Sequence, residues 1–398
     1  MTDDFTKILN AQDVGGWLRQ YVEHTRDMEP PTSYHFFSGL AVLGAVLKRR
    51  VYLDMRRFRH FPCYQVLLAG PSGVKKSTAG KYAIGIGTDS GHVDALMSAG
   101  SPEALWGKLA KLSAMHGEAC GILFASEMAT LVNNRDYASS MIEVLMAIFD
   151  CDDHIAPRET FKHASQPLKN VAVSALFCSN ETMLTAAMPA HAMKGGLPSR
   201  MITLYETDSG GREVPFPDEM PEPPVSRDWL VTELTRFFFV KGRVGVDEPA
   251  RKWFRAWYKA HKRSKPPDEN LEPFWNRYDG HILKLAIGLS VSEMEDTDAP
   301  VMIRARHFLQ SDAILTYVVE RMPGLYRFLA MGPFGTDYAR VIKMVEDAGG
   351  EINRKDVQRR LVYPRARVDE LVETLIVNGE VIQVRNERGT LLRLREMP

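Results

Sequence analysis

Short apolar runs alternate with helical spacing between residue 51 and about residue 206. The runs are YQVLLAG (64–70), GILFASE (121–127), VAVSALFCSN (171–180) and RMITLYE (200–206). Apolar strands that alternate with helices are typical of an α/β domain with a mainly parallel sheet. We therefore expect an α/β core over residues 51–206.

Helical patterns flank this core on both sides. In the N-terminal segment 1–50, the proline pair at 30–31 separates two predicted helices, GWLRQYVEHT and the mostly apolar YHFFSGLAVLGAVLKRR. Residues 207–227 contain SGG and five prolines between 215 and 224, which predicts a linker or surface loop. Residues 228–332 have helical spacing throughout and predict a helical, lid-like region.

Residues 336–398 predict a separate C-terminal domain. YARVIKMVEDAGG, NRKDVQRRL and RARVDELVETLIVNGE have helical patterns, and Asn353 is the expected N-cap of the second helix. VIQVRNERGTLLRLRE then alternates apolar and polar residues around a turn at Asn386–Gly389, as a hairpin does. Three helices followed by a β-ribbon predict a winged helix.

Composition narrows the class of protein. The chain has 398 residues, 45% of them hydrophobic, and its 50 Lys and Arg balance 50 Asp and Glu. These values exclude disordered, collagen-like and disulfide-scaffold chains. A formal net charge of zero also argues against coating nucleic acid by bulk attraction, although a local basic patch can still bind it.

The sequence predicts a cytoplasmic protein without membrane spans. MTDDFTKILN lacks the pattern of a secretory signal. The longest apolar stretch, Phe37–Leu47, is about half of the roughly 20 residues that cross a bilayer, so it predicts a buried helix. Cys63, Cys120, Cys151 and Cys178 are widely spaced, which favours reduced core thiols over a disulfide or zinc site.

The clearest chemical motif is GPSGVKKST, between an apolar strand and a helical stretch. Such a loop wraps phosphates with its backbone N–H groups, and the helix N-terminus favours the same anion. Lys76 would reach the β- and γ-phosphates of ATP, and the Ser77 hydroxyl would hold Mg²⁺. The predicted ATP-binding residues are Gly70, Pro71, Ser72, Gly73, Val74, Lys75, Lys76, Ser77 and Thr78.

Lys75 departs from the pattern GxxxxGK[ST], which has glycine at this position. A side chain fits there only if the local dihedral angles suit a non-glycine residue, and Lys75 could itself face a phosphate. The alternative is a basic strand-to-helix turn that binds no nucleotide.

Polar residues end the next two predicted strands. Glu127, after GILFAS, is a candidate to activate the attacking water, and Ser126 stands where many such ATPases have a metal-binding Asp. Asn180 could contact the γ-phosphate or its water, or it could cap a turn. The alternative for Glu127 is a surface acid at the end of a strand.

The segment AMKGGLPSRM presents Lys194 and Arg200 on a glycine-containing loop. Either cation could reach a phosphate in a neighbouring subunit, as an arginine finger does. The alternative for Arg200 is a solvated surface arginine.

Together these motifs resemble the phage- and prophage-encoded helicase-like P-loop ATPases, often described as replicative or primase-associated helicases. HFFSGLAVLGAVLKRRVYL, YQVLLAGPSGVKKSTA, GILFASEMATLV, CSNETML, GGLPSRMITLYE and NRYDGHILKLA carry the resemblance, over about three-quarters of the chain. The resemblance implies a RecA- or AAA+-like P-loop core and a ring oligomer, with a hexamer favoured, whose nucleotide lies between subunits.

The resemblance also implies roles for single residues. Lys76 and Ser77 match the phosphate loop, Glu127 the catalytic acid and Arg200 the finger, while Lys284 falls where some relatives have a second sensor cation. A basic residue at position 75 is familiar in this family. Ser126 departs from the acidic pair of the family, which puts the hydrolysis rate in doubt more than nucleotide binding.

A basic cluster in the C-terminal domain predicts DNA binding. Its predicted DNA-binding residues are Arg354, Lys355, Arg359, Arg360, Arg365, Arg367, Arg385 and Arg388. Such a cluster would favour phosphate contacts over base reading, although winged helices also bind proteins.

The sequence therefore predicts an ATP- and Mg²⁺-dependent DNA helicase or translocase of phage or mobile-element replication. Its partners would be single-stranded or forked DNA, further copies of the chain and a primase or initiator. The alternative is a nucleotide-gated DNA-binding initiator or helicase loader with little turnover. A packaging or defence ATPase is a third interpretation.

Overall fold

The computed structural model describes residues 3–97, 101–132, 138–156, 166–187, 196–209, 212–330, 335–361, 363–377, 380–386 and 389–394. Its helices are α1 (Asp4–Ala11), α2 (Gly16–His24), α3 (Thr32–Leu47), α4 (Lys76–Asp89), α5 (Pro102–His116), α6 (Ala129–Val132), α7 (Ala138–Phe149), α8 (Glu181–Ala187), α9 (Gly196–Arg200), α10 (Arg227–Phe237), α11 (Glu248–His261), α12 (Glu272–Trp275), α13 (Tyr278–Ser292), α14 (Ala305–Ala330), α15 (Gly335–Asp347), α16 (Arg354–Leu361) and α17 (Arg365–Val377). Its strands are β1 (Val51–Asp54), β2 (Arg59–His60), β3 (Gln65–Ala69), β4 (Ala95–Met97), β5 (Cys120–Ala125), β6 (His154–Ile155), β7 (Leu168–Lys169), β8 (Ala172–Ser179), β9 (Ile202–Tyr205), β10 (Gly242–Arg243), β11 (Gly245–Val246), β12 (Met302–Ile303), β13 (Glu351–Asn353), β14 (Val381–Asn386) and β15 (Gly389–Leu394).

A five-stranded, all-parallel sheet forms the centre of a mixed α/β fold, in the order β4-β5-β8-β3-β9. The four apolar runs of the sequence are its strands β3, β5, β8 and β9, so that prediction is confirmed. Every residue of β3, β5 and β8 is buried, as expected of parallel strands that are covered on both faces. The arrangement is consistent with a Rossmann-like or P-loop fold.

Among the described helices that pack near this sheet, α3 is the most deeply buried. All sixteen of its residues are buried, and they join the same apolar core as β3 and β8. The sequence prediction of a buried helix over Phe37–Leu47 is therefore confirmed. Helix α4 approaches the sheet closely, since a Cβ at Gly80 would come within 2.8 Å of the Phe124 ring.

The chain divides into two compact units, Met1–Tyr326 and Arg327–Pro398. The segments predicted as 1–50, 51–206 and 207–227 all fall in the first unit. The helical region 228–332 begins there and extends past its end. The proline-rich segment holds one turn of 3₁₀ helix, Pro217–Glu219, where the sequence predicts no regular element. Prolines at the first turn of such a helix fit because their missing N–H has no partner there.

The second unit has its own apolar core, centred on Val341, Val357, Leu371 and Leu392. Helices α15, α16 and α17 and the β14–β15 hairpin lie where the sequence predicts them, with Asn386 paired to Gly389 at the turn. The Asn353 side chain accepts the N–H of Lys355 at 3.0 Å, which confirms its predicted capping role. Strand β13, which pairs with β15, was not predicted.

Two further sequence predictions concern the membrane and the thiols. Within the described parts of the chain, none of the helices combines the length and apolar character needed to span a bilayer. Cys63, Cys120, Cys151 and Cys178 are free and buried, as predicted.

Candidate functional site

Polar side chains collect where the parallel strands end. The GPSGVKKST loop follows β3, Ser126 and Glu127 follow β5, and Asn180 follows β8. Because these strands are parallel and in register, their carboxyl ends meet at one edge of the sheet. Ligands of open α/β sheets bind at this edge.

Two residues of the loop have positive φ angles. Gly73 has φ +99°, and Lys75 lies in the left-handed region with φ +56° and ψ +29°. Lys75 therefore adopts a conformation that glycine takes at no cost, at an expense of about 1–2 kcal/mol. Helix α4 begins at Lys76 without a side-chain cap. The Thr78 and Ala79 N–H groups donate to the Lys75 carbonyl at 3.1 and 3.3 Å, whereas those of Lys76 and Ser77 precede the first intrahelical bond.

The Lys76 ammonium group is folded into this loop. Its Nζ donates to the Gly70 carbonyl and to the Pro71 carbonyl, each at 2.7 Å. Burial lowers the pKa of Lys76 below its usual value, while the nearby carboxylates of Glu181 and Glu127 act in the opposite direction. A cation is thus held by two carbonyls at the start of the GPSGVKKST loop.

Lys75 has a different environment from its neighbour. Its Nζ lies 2.9 Å from the Glu29 carboxylate, and its side chain is 47% exposed. The ammonium of Lys75 lowers the pKa of Glu29 through this hydrogen bond. Of the two lysines that the sequence leaves open, Lys76 is therefore the one that faces the inside of the loop.

Gly70 starts the loop at a point with no room for a side chain. A Cβ there would lie 2.2 Å from the Glu206 carbonyl oxygen and 2.9 Å from the Tyr34 hydroxyl. Tyr34 donates to the Ala69 carbonyl at 2.6 Å, so its position is fixed by the strand itself. The first glycine of the motif is required by packing against β9 and α3.

Glu127 is positioned by the neighbouring strand β8. Its carboxylate accepts a hydrogen bond from the Ser179 hydroxyl and another from the Ala129 N–H at 3.3 Å. The Met128 N–H donates to the Cys178 carbonyl at 2.7 Å, which holds the turn after β5 against β8. Strand β8 lies between β5 and β3, so the Glu127 turn and the loop are separated by about 10 Å, twice the spacing of adjacent strands.

Asn180 caps helix α8. Its side-chain oxygen accepts the Met183 N–H at 2.8 Å, which is the capping alternative considered for the sequence. Glu181, the next residue, is buried and accepts a hydrogen bond from the Tyr205 hydroxyl at 3.1 Å. Sequence reasoning missed both Glu181 and Ser179, although each adjoins the predicted Asn180.

The predicted metal ligands are hydroxyl groups. Ser126 is exposed at the end of β5, and Ser77 is half-buried in the first turn of α4. Among the described residues, no group of three or more His, Cys, Asp or Glu side chains is arranged to hold a metal ion. A hydroxyl suits Mg²⁺ that already carries phosphate and water ligands, and it does not by itself make a protein-built metal cage.

Arg200 and Lys284 lie at the opposite edge of the sheet. Arg200 ends helix α9 and lies two residues before β9, and both residues line a cavity of about 300 Å³ with Gln65, the first residue of β3. The Arg200 guanidinium makes two hydrogen bonds to Asp150, at 2.6 and 2.8 Å, and its side chain is 14% exposed. Neither cation reaches the loop of its own subunit, and Arg200 is not a solvated surface arginine. Lys194 lies outside the described residues.

The basic cluster of the second unit contains two kinds of cation. Arg354 bonds to Asp369 at 2.7 Å, and Arg367 lies 3.4 Å from Asp337, with both arginines mostly buried. The exposed members are Lys355, Arg359, Arg360 and Arg365. The Arg385 side chain and Arg388 lie outside what the structure describes.

The fold and this edge define a mixed α/β protein with a glycine-containing loop, a half-buried lysine and a positioned carboxylate at the carboxyl ends of its parallel strands. Comparison of the sequence with protein-family models and with curated proteins found no match.

Proposed function

We propose that this chain is an ATP-dependent DNA helicase or translocase of the P-loop class. The observation that carries the proposal is the Lys76 ammonium group enclosed by the loop carbonyls, at the same sheet edge as Glu127. In the alternative, a basic strand-to-helix turn without a ligand, these two carbonyls are the final partners of Lys76. Its neighbour Lys75 finds an acidic partner at the surface.

Nucleotide binding in this proposal exchanges the partners of Lys76. The ammonium group would leave the Gly70 and Pro71 carbonyls and donate to the β- and γ-phosphates of ATP. The backbone N–H groups of the loop and of the first turn of α4 would donate to the same oxygens. Lys75 would stay with Glu29, outside the phosphate site.

Hydrolysis would depend on Glu127. The ends of β5 and β3 lie about 10 Å apart, with β8 between them, which would leave room for the γ-phosphate and a water molecule between the two strand ends. Glu127, held by Ser179, would orient that water for in-line attack and accept its proton. The Ser77 hydroxyl would hold Mg²⁺, which supplies charge neutralisation on the phosphates when bound. Ser126, a neutral hydroxyl, would reach the ion only through water.

A cation for the transition state would come from another copy of the chain. Arg200 lies at the far edge of its own sheet, so it could act only on a neighbour's nucleotide, as in a ring oligomer. It would first have to leave Asp150. In this proposal, the Arg200–Asp150 ion pair therefore breaks in the same step in which the subunits assemble.

We propose that the second unit is a winged helix that contacts the DNA backbone. Its order of helices and its antiparallel hairpin support this, as do the exposed cations Lys355, Arg359, Arg360 and Arg365. Arg354 and Arg367 would act through the fold of the unit, because acids of the same unit hold them.

A nucleotide-gated initiator or helicase loader is the second candidate. The left-handed Lys75 and the Ser126 hydroxyl favour it, since each departs from an efficient hydrolytic site. A strand-separation assay on forked DNA distinguishes the two candidates. The helicase proposal expects ATP-dependent unwinding that Lys76→Ala abolishes, and the loader expects ATP-dependent DNA binding with negligible turnover. DNA binding without unwinding and without DNA-stimulated ATP turnover, at saturating protein, would contradict the first candidate.

A further inference from the structure

Helix α11 and the turn after it carry an unusual concentration of positive charge. Residues 248–265 contain one acid, Glu248, in a chain whose acids and bases are equal in number. All of the cations of this segment are exposed: Arg251, Lys252, Arg255, Lys259, Lys262, Arg263 and Lys265. We refer to these seven residues as the basic stripe.

Few acids neutralise the basic stripe. Arg255 lies 3.5 Å from Glu248, and Lys262 lies 4.0 Å from Asp279, at the limit of an ion pair. Within the described parts of the chain, Lys252 and Lys259 have no acidic partner. Along the helix, Arg251 and Lys262 are about 17 Å apart, which spans several phosphates of a nucleic-acid strand.

The apolar face of the same helix is already occupied. Trp253, Phe254 and Trp257 pack against the main core, and the Trp257 indole donates to Asp312 at 3.1 Å. A basic amphipathic helix that binds a membrane surface needs its apolar face free to enter the lipid. The arrangement favours a soluble polyanion over a lipid surface.

An aromatic-walled cavity of about 480 Å³ adjoins the basic stripe. Trp257, Trp275 and Tyr278 line it, together with Lys265 of the stripe. The Trp275 indole N–H is buried and has no hydrogen-bond acceptor among the described residues. The indole nitrogen therefore lies beneath the cavity surface, and the cavity offers a base the aromatic rings beside a row of cations. This combination suits a nucleobase of a single strand, which has a π-face to stack and a phosphate on either side.

We propose that the first unit binds single-stranded nucleic acid here, with the phosphates on the basic stripe and a base in the aromatic cavity. The inference rests on the proposed function only in taking DNA as the partner. It adds a contact surface that is separate from the C-terminal cluster and from the ATP loop. Glu320, which also lines the cavity, can accept from the exocyclic amine of a base.

The test is binding of a fluorescein-labelled 30-nucleotide single strand to the full chain, without nucleotide, over a series of salt concentrations. The variant Lys252→Glu/Lys259→Glu is compared with Lys111→Glu/Lys169→Glu, two exposed lysines elsewhere in the first unit. We expect at least tenfold weaker binding for the first variant only, and a salt slope smaller by roughly 1.4, for two lost phosphate contacts. Equal affinities for the two variants would overturn the proposal.

A second comparison tests the cavity. Trp275→Leu removes the ring and keeps an apolar side chain, while Trp229→Leu changes a partly exposed tryptophan of α10 as a control. We expect about five- to a hundredfold weaker binding for Trp275→Leu with an unchanged salt slope, because a lost stacking contact is worth about 1–3 kcal/mol and releases no counterions. A Trp275→Leu variant that binds like Trp229→Leu would remove the cavity from the proposal.

Two outcomes separate this inference from the proposed function. If the chain turns over no ATP and the Lys252→Glu/Lys259→Glu variant still loses strand binding, the inference holds and the ATPase proposal fails. If DNA stimulates ATP turnover equally in both lysine variants and their affinities match, the inference fails alone. If the Lys252→Glu/Lys259→Glu variant loses binding to phosphatidylserine vesicles and still binds the single strand, the basic stripe binds lipid and the inference is overturned.

Discussion

At the residue scale, the adjacent lysines Lys75 and Lys76 have different surroundings and different proposed roles. The Lys76 ammonium group is enclosed by the Gly70 and Pro71 carbonyls, whereas Lys75 pairs with Glu29 and is half exposed. An exposed ion pair contributes little to stability, so Lys75 is free to vary. In the proposed phosphate loop, the half-buried ammonium group of Lys76 is expected to contribute most of the positive charge that a bound phosphate meets.

The first prediction compares nucleotide binding in Lys76→Ala and Lys75→Ala. We expect Lys76→Ala to weaken binding of a fluorescent ATP analogue by at least tenfold, because a charge-assisted hydrogen bond is worth about 1.5–3 kcal/mol. Lys75→Ala should change the affinity less than threefold. A larger effect from Lys75→Ala, measured by titration under the same conditions, would reverse the assignment.

The second prediction concerns the stability of the loop. Gly70→Ala would force a Cβ to within 2.2 Å of the Glu206 carbonyl oxygen, a backbone atom that has little freedom to move. We expect a loss of about 3 kcal/mol or more. Gly73→Ala meets no atom within 4 Å and should cost about 1–2 kcal/mol, from its φ of +99° alone. Chemical denaturation measures both, and equal losses would contradict the packing account.

At the element scale, the sequence was most informative where burial and period agree. The fully buried strands β3, β5 and β8 and helix α3 appear as long apolar runs, so pattern alone predicts them. Strands of two or three residues, such as β10 and β13, have no period to detect and depend on distant partners. Whether these short strands form depends on pairing with segments that are distant in the sequence.

The motifs of the candidate site could be predicted from the sequence, but the contacts between them could not. Each motif at a strand end was visible, because strand ends follow from the apolar pattern. The edge on which Arg200 lies depends on where β9 pairs with β3, and its Asp150 partner is fifty residues away in sequence. Nor does sequence show that Ser179 supports Glu127, since serine at a strand end is common.

The third prediction is a pH dependence that arises in helix α3. Burial lowers the pKa of His35 to about 3, and neither ring nitrogen has a hydrogen-bond partner among the described residues. The unfolded chain, with a histidine pKa near 6.5, therefore binds more protons than the folded chain between about pH 6.5 and 3. Stability must fall as the pH is lowered through that window, and His60 and His281 act in the same direction.

Thermal unfolding across pH measures this effect. Between pH 6.5 and 4.5 we expect His35 to contribute a loss of about 2 kcal/mol, and His35→Phe to make the decline shallower. His116 is exposed, so His116→Phe should leave the pH profile unchanged. A profile that is equally steep in His35→Phe and the wild type would contradict a buried neutral histidine.

At the scale of the whole molecule, the net charge of zero is the sum of an uneven distribution of positive and negative side chains. Cations concentrate in the basic stripe of the first unit and in Lys355, Arg359, Arg360 and Arg365 of the second. Acids are spread over the rest of the chain. Zero net charge therefore still excludes a protein that coats nucleic acid generally, and it permits a protein that contacts DNA at two defined surfaces.

The fourth prediction uses the separate cores of the two units. Leu371 is 1% exposed in the core of the second unit, and that core shares no residue with the first. Leu371→Ala should cost about 2–5 kcal/mol and unfold the second unit first. We expect weaker DNA binding and unchanged turnover of ATP in the absence of DNA. A single cooperative loss of both properties would show that the units do not fold separately.

The measurement that tests the central claim most directly is steady-state ATP turnover with and without single-stranded DNA. It compares the wild type with Glu127→Gln, a change that keeps the size of the side chain and removes its charge. We predict DNA-stimulated turnover in the wild type, at least a hundredfold lower turnover in Glu127→Gln, and undiminished ATP binding in the variant. Wild-type protein that binds no ATP, or turnover that Glu127→Gln leaves unchanged, would contradict the account.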